Sequence, residues 1–102
     1  MKENNKGINI KNFVESLETG HELEFSYNGN VYVIQPIKEN GKHYLVAYLW
    51  KGLENCGCIA QAESFREHGL EKEVIDKVLN TKCFEGKSFF EIYEDIEIIN
   101  WA

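Results

Sequence analysis

Leu23-Glu24-Phe25-Ser26-Tyr27-Asn28-Gly29-Asn30-Val31-Tyr32-Val33-Ile34 decides the fold. Leu23, Phe25 and Tyr27 alternate with polar residues, the period of a strand with one buried face. Asn28-Gly29 is the strongest short hairpin signal, because both central positions of a type I′ turn need positive φ. With those two residues as the loop, Phe25 faces Tyr32 and Leu23 faces Ile34, so the large apolar side chains share one face. Glu24 and Ser26 then share the other face with Val33 and Val31. Turn chemistry and hydrophobic pattern demand the same register.

Outward from the hairpin, Ile10, Phe13, Val14 and Leu17 fall on one helical stripe, predicting a helix from about 10 to 18. Asn9 is its N-cap, Ile8 is placed to staple onto Phe13, and Gly20 is placed to end the helix in a left-handed conformation. On the other side, Pro36 is expected to close the second strand, since it cannot donate to a ladder. Glu39-Asn40-Gly41-Lys42 reads as a second turn. His43 to Trp50 is a third strand, apolar on both faces: Tyr44, Val46, Tyr48 and Trp50 against Leu45, Ala47 and Leu49. A strand of that kind is covered on both sides or meets a partner.

Residues 51–61 read as loop, punctuated by Gly52 and Gly57. Leu70, Val74, Ile75, Val78 and Leu79 predict a second helix over about 70–80. Ser88-Phe89-Phe90-Glu91 is a capping box opening a short helix to about Glu94. Ile96-Glu97-Ile98 begins a final strand ending near Trp101. The expectation is one α+β domain spanning 1–102: an N-terminal helix, a three-stranded antiparallel meander, a second helix, a short capped C-terminal helix and a final strand. The helices should cover one sheet face through Leu23, Phe25, Tyr32 and Ile34.

Two segments resemble parts of a group of short uncharacterised proteins from Gram-positive Firmicutes. One is Leu17-Glu18-Thr19-Gly20-His21-Glu22-Leu23-Glu24-Phe25-Ser26-Tyr27-Asn28-Gly29; the other is Gly86-Lys87-Ser88-Phe89-Phe90-Glu91-Ile92 with its acidic-hydrophobic tail. The likeness covers about the first 35 and last 18 residues and is weakest through 51–83. It is one of structural signatures. It implies a small bacterial or mobile-element protein and carries over no functional residue.

A chain of 102 residues hides roughly two-thirds of the surface its unfolded form exposes, enough for a real core. No apolar run approaches the roughly 20 residues of a membrane helix. The polar start at Met1-Lys2-Glu3-Asn4-Asn5-Lys6 and an odd number of cysteines point to the cytoplasm. The net charge of −6 is uneven: residues 13–30 sum to −4, residues 85–102 to −4, and residues 1–12 to +2. A phosphate backbone requires a basic surface, so direct nucleic-acid binding is not expected. Tyr27, Tyr32, Tyr44, Tyr48 and Trp50 could stack bases, but no Lys or Arg lies inside the third strand.

Cys56-Gly57-Cys58, His68 and Cys83 are the candidate metal set, three thiols and an imidazole. One residue separates the first pair and 15 positions the second, a poor spacing for a zinc knuckle. The same thiols could be nucleophilic or redox-active only with a base nearby, and nothing in the sequence brings His21, His43 or His68 to Cys56 or Cys58. His21, just past Gly20, suits the last carbonyls of the first helix. Glu91, Glu94, Asp95 and Glu97 stand where solvated carboxylates are expected. No catalytic residue and no cofactor is assigned.

What remains is a non-enzymatic binding or regulatory protein that acts through contact with a protein partner or with itself as a homodimer. A mobile-element accessory or inhibitor with an acidic surface for a basic site is one version. The expected contact residues are Tyr48 and Trp50 on the third strand and Glu91, Glu94 and Glu97 in the acidic tail. The alternative is a small metal- or thiol-dependent protein using Cys56, Cys58 and Cys83.

Overall fold

A computed structural model describes residues 7–50 and 56–102, apart from the side chain of Cys56. The element order is α1 (Ile10–Glu18), β1 (Leu23–Tyr27), β2 (Asn30–Glu39), β3 (Lys42–Trp50), β4 (Cys56–Ser64), α2 (Lys72–Asn80), α3 (Phe89–Ile92) and β5 (Glu97–Trp101). The strands form one antiparallel sheet ordered β4-β3-β2-β1-β5. Among the described residues three helices pack on one of its faces.

The β1–β2 hairpin has the register that its turn and pattern require, with Phe25 opposite Tyr32 and Leu23 opposite Ile34. Asn28 and Gly29 take φ of 51° and 81°, as a type I′ turn demands. Asn40 and Gly41 repeat the arrangement at 53° and 77° between β2 and β3. Asn9 caps α1, its Oδ1 accepting from the Asn12 N–H at 3.1 Å. Past the left-handed Gly20, His21 Nδ1 lies 3.1 Å from the Ser16 carbonyl, the helix-end role its position suggested. Glu91 completes the capping box of α3 by accepting from the Ser88 N–H at 2.9 Å.

Three expectations change. The meander has four strands, β1 to β4, and β5 adds a fifth beside β1. The stretch 56–61, read as loop, is the first part of β4; residues 51–55 of that reading lie outside the described residues. Small side chains disguised this strand: Ala60 and Ala62 oppose Ala47 and Leu45, and a bulge near Ile59 breaks the alternation. Second, Pro36 does not end β2, which continues to Glu39. In this register the even-numbered residues of β2 aim their N–H groups at β1, as Tyr32 and Ile34 do. The β1 strand begins at Leu23, opposite Ile34, so Pro36 lies beyond the ladder and its missing N–H costs no strand bond. Third, α2 starts at Lys72, two residues later than periodicity suggested, with Leu70 buried just ahead of it. The short helix α3 also stops at Ile92, ahead of Glu94.

The core lies between the sheet and the helices. From the sheet come Leu23, Phe25, Tyr32, Ile34, Leu45 and Ala47; from the helices come Phe13, Leu17, Ile75, Val78, Leu79 and Phe89. Phe25 sits at its centre. Its ring stacks on Tyr32 at 5.5 Å and meets Phe89 edge-on at 5.5 Å and Phe84 at 5.8 Å. Among the described residues no helix is long and apolar enough to cross a membrane. Replacing Phe25→Ala removes contacts to three rings at a fully buried position and should lower unfolding free energy by about 3–5 kcal/mol. Urea denaturation with an unchanged m-value checks this.

Candidate functional site

With all three helices on one face, the other face of the sheet is built from the alternate strand positions. It carries Glu24 and Ser26 from β1, Val31, Val33, Gln35 and Ile37 from β2, and Tyr44, Val46, Tyr48 and Trp50 from β3. Gln61 and Glu63 of β4 and Glu97 of β5 complete it. This is the second apolar face of β3 that the sequence displayed. Val46 is buried there, while Trp50 remains 40% exposed. A groove of about 450 Å³ runs across this face, lined by Val33, Gln35, Tyr48 and Trp50, with Glu22 and Glu24 along the β1 side. The groove therefore combines an aromatic-aliphatic floor with an acidic rim.

A second concavity, of about 610 Å³, opens at the end of the sheet where the β2–β3 turn meets the β4–α2 connection. Lys38, Lys42, His43, Arg66 and His68 line it, with Glu63 and Glu67. Among the described residues the one ion pair is Lys82–Glu91, so Lys38, Lys42 and Arg66 have no carboxylate within salt-bridge distance. Beside them Phe65 is 85% exposed.

The connection holding Phe65 is pinned at several points. Glu71 accepts from the Ser64 hydroxyl and, at 3.0 Å, from the Phe65 N–H. The Arg66 N–H donates to Ser64 Oγ at 3.2 Å, and His43 Nδ1 lies 3.3 Å from the Arg66 carbonyl. At the far end the Leu70 N–H donates to the Glu18 carbonyl. Gly69 (φ +72°) lies so close to that carbonyl that an added Cβ would sit 2.2 Å from its oxygen; only glycine fits.

The expected contact residues disperse. Tyr48 and Trp50 line the groove. Glu97 lies on the same sheet face, opposite Ser26 on the edge strand. The Glu91 carboxylate accepts from the Ser88 N–H at 2.9 Å and pairs with Lys82 at 3.0 Å. Glu94 is exposed, with its backbone against Gly7. Glu22 and Glu24, from the other acidic segment, supply the rim; their alternation with Leu23 and Phe25 was the available signal. Phe65, Arg66 and Lys38 had no such signal, because their proximity comes from two chain segments meeting.

Of the metal set, Cys58 is exposed on edge strand β4 and Cys83 is half-buried against the core. His68 belongs to the cationic cleft. The side chain of Cys56 lies outside the described residues. Among the described residues no three His, Cys, Asp or Glu side chains stand together as a metal would require. Burial pushes the Cys83 thiol up to about 11, which keeps it protonated and a poor nucleophile.

Compared with models of protein families, with curated proteins and with solved structures, the chain matches none.

Two predictions follow from these environments. Iodoacetamide at pH 8, with peptide mapping, should alkylate Cys58 in the native protein and Cys83 only after denaturation; equal labelling of both would contradict the burial of Cys83. Hydrogen bonds from Ser64 and Phe65 hold the Glu71 carboxyl below the usual range, and those from Ser88 and Lys82 do the same for Glu91. A depressed folded-state pKa gives stability that is present above the unfolded value and is lost as pH falls through the folded one. Thermal stability should therefore decline as pH drops below about 4.3, the ordinary value for Glu. Glu71→Gln and Glu91→Gln should each be less stable at pH 7 and flatten that decline.

Proposed function

We propose that this is a non-enzymatic binding or regulatory protein that acts by protein–protein contact through the groove on the helix-free sheet face. One observation carries the reading: an aromatic-aliphatic floor with half-exposed Trp50 lies beside the carboxylates of Glu22 and Glu24. Tryptophan and tyrosine are the residues that anchor interfaces, giving large rigid area at low entropic cost. The acidic rim selects the partner's chemistry. A partner that fits presents an apolar side chain flanked by Lys or Arg, which meets the floor with the first and the rim with the second. The same rim repels a phosphate backbone, which speaks against direct nucleic-acid contact.

The test is a titration of the protein, followed by amide and indole NMR shifts, with a short peptide carrying Phe between Arg and Lys. Shifts should concentrate on Val33, Gln35, Tyr48 and Trp50. The Glu22→Gln/Glu24→Gln double variant should bind at least about tenfold more weakly, since each charge-assisted contact is worth about 1.5–3 kcal/mol when made and less at an exposed rim. A peptide with Asp and Glu in place of the basic residues should not bind. Shifts that avoid the groove, or equal binding by the acidic peptide, would sink the proposal.

A further inference from the structure

We infer that the groove's occupant is a second copy of this chain, which inserts Phe65 as a knob and sets Arg66 and Lys42 against Glu22 and Glu24. The inference rests on the groove reading above and names its partner.

The knob has the properties that the groove asks for. Phe65 is 85% exposed, the most exposed of the large hydrophobic side chains among the described residues. A scattered surface phenylalanine needs no explanation, but this one is held by a loop fastened at both ends, through Glu71 on one side and Glu18 on the other. Ordering entropy is thus spent on folding rather than on binding. Lys42 sits beside it, and so does Arg66, whose guanidinium donates to the Leu70 carbonyl at 3.5 Å; neither forms a salt bridge among the described residues. A chain of net charge −6 has gathered cations around its most exposed phenyl ring and placed carboxylates around its aromatic groove. Lys42 and Arg66 beside the ring are opposite in sign to Glu22 and Glu24 beside the groove.

One molecule cannot satisfy both. Lys38 of the cleft and Val33 of the groove are five residues apart on the same strand, roughly 17 Å at strand rise. The strand holds knob and groove apart, so the contact forms between molecules. It joins unlike surfaces: two copies that exchange knobs close a dimer, and copies that do not close make a short chain. The contact is small, so association is expected at roughly 0.01–1 mM rather than nanomolar concentration.

Sedimentation velocity of the full chain across that range tests this, with two variants. Phe65→Ser/Arg66→Ala removes the knob, and Glu22→Lys/Glu24→Lys reverses the rim. All four positions avoid the buried core, and circular dichroism confirms the fold of each variant. The native chain should show mass rising with concentration, and each variant alone should remain monomeric at 1 mM. An equimolar mixture of the two variants should regain a 1:1 complex, because one intact knob and one intact groove are then present. A native chain that is monomeric throughout overturns self-association; if the Arg-Phe-Lys peptide still shifts the groove residues, the groove reading stands apart from it. Association that persists in both variants overturns the knob-in-groove contact as well.

Discussion

The packing of the Phe25 ring holds the two ends of this chain together. Phe25 belongs to the local hairpin, where it stacks on Tyr32, its cross-strand neighbour. It also touches Phe84 and Phe89, more than fifty residues away. Phe13 of α1 joins the same group through Phe89 at 5.1 Å. Aromatic pairs of this kind contribute about 0.5–1.5 kcal/mol beyond the area they bury. A polar clamp reinforces the cluster: Asn28 and Asn30 at the hairpin end each donate to a different oxygen of Glu85 at 3.2 Å. Burial, with that carboxylate nearby, raises the Tyr32 phenol and keeps it neutral in the core.

Placing every helix against this cluster leaves the opposite sheet face without a helical cover. That arrangement turns an apolar third strand from a packing problem into a surface. An antiparallel sheet usually presents one polar face; here the second face keeps Val31, Val33, Val46, Tyr48 and Trp50, edged by carboxylates. The cations of the β2–β3 turn and the β4–α2 connection collect at one end of the sheet instead. Lys38, Lys42 and Arg66, interspersed with Glu63 and Glu67, thus stand beside Phe65, while Glu22 and Glu24 stand beside Trp50.

Much of the fold was legible because its instructions are local. Three dipeptides, Asn28-Gly29, Asn40-Gly41 and Glu85-Gly86, adopt positive φ at both positions, and two of them join strands of the meander. Asn-Gly states its own geometry; Glu85-Gly86 does not, since Glu at φ 57° depends on the carboxylate's bonds to Asn28 and Asn30. The β4 strand was hidden for a related reason. Its inward residues are Ala60, Ala62 and Ser64, whose place in a strand comes from pairing with β3 rather than from intrinsic preference. The cost of Pro36 depends on where β1 begins, which is a fact about a neighbouring strand.

The sequence by itself determined the α+β class, the hairpin register, the caps of α1 and α3, the helix-facing side of the sheet and the two-faced apolar character of β3. Each follows from turn chemistry or from periodicity within about ten residues. Only the tertiary structure decided where the carboxylates stand. It gave Glu91 to a capping box and an ion pair, and put Glu22 and Glu24 beside Trp50. It also gathered Lys38, Lys42, Phe65 and Arg66 from two segments. The physical reason is that side chains distant in sequence become a site only when strand pairing and loop anchoring bring them together, and no local rule encodes that meeting.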